Sequence, residues 1–142
     1  MIRFYVASAF GDMIRTRRMI AALREVRNWH CTFDWTHCRQ SDYTDSDRRG
    51  YVRDAALWDL NGAMTADVLV FLQSVACRSS YVECGGALAM GKRVWCVPQP
   101  EPQEFPVLLC NPLVRLFDSD EMVVLEAVRG SGRLPQEDGS WQ

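Results

Sequence analysis

Residues 68 to 72 read Val-Leu-Val-Phe-Leu, an unbroken apolar run that follows Asp67 and ends at Gln73. A strand with one face in water alternates apolar and polar residues, so a continuous run of five fits a central strand covered on both faces, as in a parallel sheet. At about 150 residues per domain, 142 residues make one such unit. Of the chain, 48% is apolar and 24% charged, the balance of a folding globular chain.

Other segments alternate around this run. Residues 2–8 read as a first strand ending in small residues, followed by a loop over 8–11. From Asp12 to Arg27, Met13, Ile14, Met19, Ile20, Leu23 and Val26 recur at helical spacing, with Asp12 as the expected cap. Trp29 to Trp35 reads as a second strand, residues 39–50 as a polar loop and Tyr51 to Met64 as a second helix. Beyond the central strand, Ser79 to Met90 is a third helix closed by Gly91, and Arg93 to Val97 is a fourth strand. A proline-rich connection covers 98–106, Leu113 to Phe117 is a fifth strand, and Asp118 to Val128 is a last helix capped by Asp118 or Ser119. The expected domain is 1–128, with a polar, frayed tail over 129–142. The expected fold is α/β: a single-domain open, mostly parallel five-stranded sheet with helices on both faces, of the flavodoxin or Rossmann-like kind. In such sheets ligands bind beyond the carboxyl ends of the strands, which points to the loops after Ser8, Trp35, Leu72 and Val97.

Charge excludes some functions. Sixteen basic and eighteen acidic residues leave a net charge of −2, with no aromatic-basic stripe, so nucleic acid is not an expected partner. The longest weakly polar window, Ala66 to Cys77, falls short of the roughly 20 residues a membrane span needs. The opening Met-Ile-Arg-Phe-Tyr-Val lacks the pattern of a targeting leader, and a cytoplasmic location is expected. Cysteines 31, 38, 77, 84, 96 and 110 lie partly in apolar runs and read as reduced thiols. His30-Cys31 and His37-Cys38 invite a zinc reading, but adjacent strand residues face opposite ways and no C-x-x-C pair occurs, so no metal site is expected.

Several residues have both an ordinary and a chemical reading. Ser79 and Ser80 open a helix past a buried strand, where hydroxyls and free N–H groups suit an oxyanion, with Arg78 beside them; equally, Ser79 reads as a plain cap. Ser80-Tyr81-Val82-Glu83 fits a capping box, and spacing alone does not separate Glu83 as cap from Glu83 as catalyst. Asp59 sits near the end of the second helix, where a carboxylate opposes the helix dipole, a placement that suggests a site role. Asp67 has the ordinary task of opening the central strand. Tyr5 reads as core or site, and Phe10 as loop cover or site.

Three segments in order resemble the nucleoside 2-deoxyribosyltransferase family and its nucleotide N-glycosidase relatives. Phe4-Tyr5-Val6-Ala7-Ser8-Ala9-Phe10 is similar to the family opening, and Asp59-Leu60-Asn61-Gly62-Ala63-Met64-Thr65-Ala66-Asp67 to the stretch whose first aspartate faces the base. Val82-Glu83-Cys84-Gly85-Gly86-Ala87-Leu88-Ala89-Met90-Gly91-Lys92-Arg93-Val94 matches the E-x-G-x-A-x-x-x-G-K-x-V signature, and Asp34-Trp35-Thr36 is also common among members. The resemblance implies Glu83 as nucleophile, Asp59 as proton donor to the base, and Tyr5 holding the carboxylate. The expected substrate site takes in Ser8, Phe10, Trp35, Arg78, Ser79 and Ser80, and the resemblance puts Asn111 in the part that the family C-terminus plays in a neighbouring subunit. A homodimer or higher homo-oligomer follows from the same likeness. Where the transferases carry an acidic residue for the sugar 5′-hydroxyl, this chain has Cys77, and the loss of a carboxylate beside Arg78-Ser79-Ser80 suits a 5′-phosphate. The expected substrate is a (deoxy)nucleoside 5′-monophosphate or nucleoside, cleaved at its N-glycosidic bond by hydrolysis or base transfer with no cofactor. The alternatives are a non-catalytic nucleotide sensor on the same fold and a TIR-like NAD glycohydrolase.

Overall fold

The computed structural model describes residues 1–37, 48–100 and 107–130. Five strands, β1 (Ile2–Ser8), β2 (Trp29–Cys31), β3 (Val68–Leu72), β4 (Arg93–Val97) and β5 (Val114–Leu116), alternate with four helices, α1 (Met13–Arg24), α2 (Arg48–Thr65), α3 (Arg78–Ala89) and α4 (Asp120–Gly130). All strand pairs are parallel, in the order β2-β1-β3-β4-β5. The expected α/β architecture is therefore the observed one.

This order has a switch point between β1 and β3, because the chain leaves β1 toward β2 on one side and returns through α2 to β3 on the other. Loops diverge there, leaving a crevice beyond the carboxyl ends of the two strands, at Ser8 and Leu72, which are register partners.

Side-chain alternation divides the interior into two cores. Phe4, Val6, Val68, Val70, Leu72, Trp95 and Val97 pack under Met19, Ile20 and Leu23 of α1 and Val123 and Ala127 of α4. Tyr5, Ala7, Leu69, Phe71, Val94 and Cys96 pack under Ala63 of α2 and Cys84, Ala87 and Leu88 of α3. All five residues of the β3 run are fully buried, as its composition required. Asp67 ties the start of β3 to β1, accepting hydrogen bonds from the Arg3 backbone N–H at 2.8 Å and its guanidinium at 2.9 Å.

Differences from the sequence reading lie at element ends. The second strand stops at Cys31 rather than Trp35, because the Asp34 carboxylate accepts from Thr36 N–H (3.2 Å) and Thr36 Oγ1 (2.6 Å) and turns Trp35–His37 into a 3-10 turn. Helix α1 ends at Arg24, short of Arg27, and Asn28 takes a left-handed φ of 66° to start β2. Asp12 makes no side-chain cap, since a 3-10 turn over Phe10–Asp12 runs straight into α1. Helix α2 already begins at Arg48, inside the expected loop. Gly91 does end α3, at φ +69°, and Ser119 is the cap of α4, its Oγ accepting from Met122 N–H at 3.4 Å. Helix α4 continues through Gly130; the rest of the expected tail, most of the 39–50 loop and residues 101–106 of the proline-rich connection lie outside the described residues. Among the described residues no helix is long and apolar enough to cross a membrane, and no three His, Cys, Asp or Glu side chains gather as a metal site. Cys31, Cys77, Cys84, Cys96 and Cys110 are free thiols.

Candidate active site

Tyr5 lies in the middle of β1, and its place in the alternation aims its ring at α2 and α3. Helix α2 can lie directly on that ring because Gly62 has no side chain. A Cβ at position 62 would stand 3.0 Å from Tyr5 Cδ2 and 2.9 Å from Phe33 Cβ. Asp59, one turn earlier on α2, then reaches the phenol, with its Oδ1 3.3 Å from the Tyr5 hydroxyl. Thr32 fixes the end of the helix. Its hydroxyl donates to Gly62 C=O at 2.8 Å, one of the last-turn carbonyls that the helix itself leaves unpaired, while its N–H donates to Phe4 C=O at 2.8 Å. Helix α3 approaches from the other side through small residues. Gly86 sits against the end of the Met64 side chain, which would have to shift for a methyl group, and Ala63, Ala66 and Ala87 are fully buried nearby. This brings Glu83 Oε1 to 3.2 Å from the Tyr5 hydroxyl.

Glu83 therefore does not close a capping box. It lies in the second turn of α3, turned onto the sheet, and Ser80 Oγ, fully buried, has no hydrogen-bond partner among the described residues.

Three titratable groups thus meet at one phenol oxygen. Burial pushes the Glu83 carboxyl up to about 7, with help from the Asp59 charge and against the Tyr5 hydrogen bond. Asp59 is also raised, by burial, with Tyr5 opposing. The Tyr5 phenol is pushed far above its ordinary range by burial and by the two carboxylates, so it stays protonated. Burial and a neighbouring negative charge outweigh one hydrogen bond, and the second turn is too far from the helix end to draw much on its dipole.

The remaining expected site residues fall in different places. Arg78 and Ser79 are exposed in the first turn of α3, and the helix start itself is at Cys77–Arg78. Ser8 closes β1 at the crevice, with its buried Oγ unpartnered among the described residues, but it shares strand parity with Phe4 and Val6 on the α1 side rather than with Tyr5. Trp35 is buried, its indole N–H donating to Val6 C=O at 2.9 Å, and Phe10, 51% exposed, covers it with ring centroids 6.2 Å apart. Asn111 is not brought to this group within the chain. It lies in the turn before edge strand β5, at the amino end of the sheet, where its Oδ1 accepts from Leu113 N–H.

Sequence reasoning did not single out Thr32, Phe33 or Trp58. With Asn61 and Gly62, they line a cleft of about 380 Å³ beside Asp59, and the Phe33 and Trp58 rings are 6.1 Å apart. The available signal was Gly62 itself, because glycine inside a helix costs up to about 1 kcal/mol and calls for a close approach. A larger groove, about 510 Å³, lies between α1 and α4 on the other face of the sheet, where Arg15 pairs with Asp120 at 2.6 Å. It shares no lining residue with the Tyr5 group.

Gly62→Ala tests the close approach. Alanine gains about 1 kcal/mol of helix propensity, but its methyl meets a backbone-anchored Cβ and a ring held in the sheet, and such overpacking costs about 1–3 kcal/mol. A net loss of stability, with α2 lifted from Tyr5, is expected in urea denaturation; an equal or higher midpoint would show that the helix has slack.

No family model matches the chain, and no curated protein matches it. Among solved structures it is similar to the CMP N-glycosidase BcmB of Clostridium botulinum, with a TM-score of 0.55 and 15% identity over 87% of this chain and 96% of that one. The chain thus shares the fold of that protein, a parallel α/β domain.

Proposed function

We propose that the chain cleaves the N-glycosidic bond of a nucleoside 5′-monophosphate, with Glu83 as nucleophile and Asp59 as proton donor to the departing base. The observation that carries this reading is the Glu83 carboxyl, turned away from its own helix and set 3.2 Å from a phenol that also meets Asp59. Breaking the bond builds positive charge at C1′ and negative charge on the base, so the reaction needs an anion beneath the sugar and an acid beside the base. Two carboxyls that compete for a proton in a half-buried site are suited to those roles. Glu83 attacks C1′ or stabilises its cation, Asp59 protonates the base, and water then releases the sugar phosphate. A second base in place of water would give transfer.

The monophosphate is preferred to the free nucleoside because the first turn of α3 offers backbone N–H groups, the exposed Ser79 and Arg78, and the buried, unpartnered Ser80 hydroxyl. The structural neighbour acts on CMP, a ligand of the same class. Incubation with ribo- and deoxynucleoside monophosphates and nucleosides, followed by chromatography of free base, tests the reading. Faster release from monophosphates is expected, and no base from any of them would overturn it. Saturable nucleotide binding without base release would favour the non-catalytic sensor, and nicotinamide released from NAD would favour the NAD glycohydrolase.

A further inference from the structure

We propose that the Tyr5 hydroxyl joins Asp59 and Glu83 into one acid–base unit in which the two carboxyls share a single proton, the phenol donating to whichever carboxyl is ionised and accepting from the other. A phenol has one proton to give and lone pairs to receive with. Here its oxygen lies at hydrogen-bond distance from two carboxyl oxygens at once, 3.3 Å from Asp59 Oδ1 and 3.2 Å from Glu83 Oε1. Were both carboxyls ionised, Tyr5 could satisfy only one, and the other would face its lone pairs. With one carboxyl protonated, both contacts are hydrogen bonds, one of them to a charged acceptor and therefore the stronger.

The surroundings keep the unit isolated. Tyr5 itself stays protonated, and next to Glu83 on α3 the Cys84 thiol is pushed up to about 12 by burial and the Glu83 charge, so it remains neutral. Cys96 on β4, in the same core, is likewise pushed up to about 12 by burial. Asp54 on α2 and Arg78 at the start of α3 are exposed. Apart from burial, the influence that raises the proton affinity of Glu83 in the described residues is the charge of Asp59, within the triad itself.

Proton sharing is a property of the free chain; its catalytic meaning rests on the proposed function. In that setting the Glu83 proton passes to Tyr5 Oη as the Tyr5 proton passes to Asp59 Oδ1. One O–H bond breaks and one forms at the phenol, Glu83 is left ionised beneath the sugar, and Asp59 is left protonated beside the base. No other donor or acceptor is needed. Tyr5 is on this account a positioning residue for the proton rather than a group that touches substrate.

Carbon-13 NMR of labelled aspartate and glutamate carboxyls, followed through a pH titration, reads the unit directly. In the wild-type chain the Asp59 and Glu83 signals should move together in two separated steps. A hydroxyl that serves both carboxyls stabilises the singly protonated state most, so Tyr5→Phe should bring the upper step down by about one pH unit, the scale of one charge-assisted hydrogen bond. A hydroxyl that merely donates to ionised Glu83 has the opposite sign, and an upper step that stays or rises in Tyr5→Phe overturns the proposal. Asp59→Asn gives a second reading should the phenylalanine variant not fold: Glu83 should then titrate in one step, below the wild-type upper step, and an unmoved upper step again overturns the proposal. Base release does not enter these titrations. A chain that titrates as a unit yet releases no base keeps the shared proton and loses the glycosidase reading, and a chain that releases base with independent titrations does the reverse.

Discussion

Glu83→Gln is expected to lower base release by about 10³-fold or more while leaving the chain folded. Glutamine keeps the size of the side chain and can still accept from Tyr5, but it can neither form a glycosyl ester nor place a negative charge under C1′. A loss of that size corresponds to about 4 kcal/mol of transition-state stabilisation, within reach of one buried charge acting in a site of low dielectric. Its stability should change the other way. The folded-state pKa of Glu83 is raised from 4.5 to about 7, so between those values the unfolded chain binds fewer protons than the folded one and the wild-type protein loses stability as pH rises through that window. Glutamine does not titrate, so at pH 8 the variant should melt no lower than wild type and above it where burial of the charge dominates. The paired measurements are chromatography of free base and melting temperature at pH 5 and 8. A variant that releases base at the wild-type rate removes Glu83 from the reaction, and one that unfolds leaves the charge argument wrong.

How much of this site could be read from the chain depends on whether the deciding interaction is local. The Val68–Leu72 run needs only its own composition to declare a strand covered on both faces, and Gly91 needs only its own backbone to end α3. The end of β2 was missed because a single aspartate, Asp34, outcompetes strand pairing by bonding to Thr36 two residues on. Glu83 was ambiguous for a related reason. A capping box and a catalytic carboxyl share the same S-x-x-E spacing, and only the long-range contact with Tyr5, 78 residues away, separates them. Thr32 was invisible as a site residue, since it acts through its hydroxyl on a distant carbonyl, and Gly62 signalled only a close approach, without saying to what, because it acts through the side chain it lacks. The raised proton affinity of Glu83 was likewise out of reach, because it follows from burial and from Asp59, neither of which a linear spacing reports.

Asp59→Asn separates the two carboxyls by role. The amide preserves shape but has no acidic proton, and loss of a general acid costs about 10²–10⁴-fold in turnover. That loss should depend on the leaving group. A base that departs easily as an anion needs little protonation, so the deficit should shrink with nucleotides whose bases are intrinsically more acidic, whereas the Glu83→Gln deficit should stay nearly constant across them. The pH dependence should move as well. In the active form Asp59 is protonated and carries no charge when Glu83 ionises, so the acidic limb of the rate profile, which reports that ionisation, should lie no lower with asparagine than in wild type. Meanwhile the basic limb, which reports a protonated acid, should flatten. Turnover measured between pH 4.5 and 9 on two nucleotides with bases of different acidity contains both tests. Equal losses on both nucleotides together with a basic limb that persists would mean that Asp59 shapes the pocket without giving up a proton, and the acid would then have to be sought elsewhere around the base.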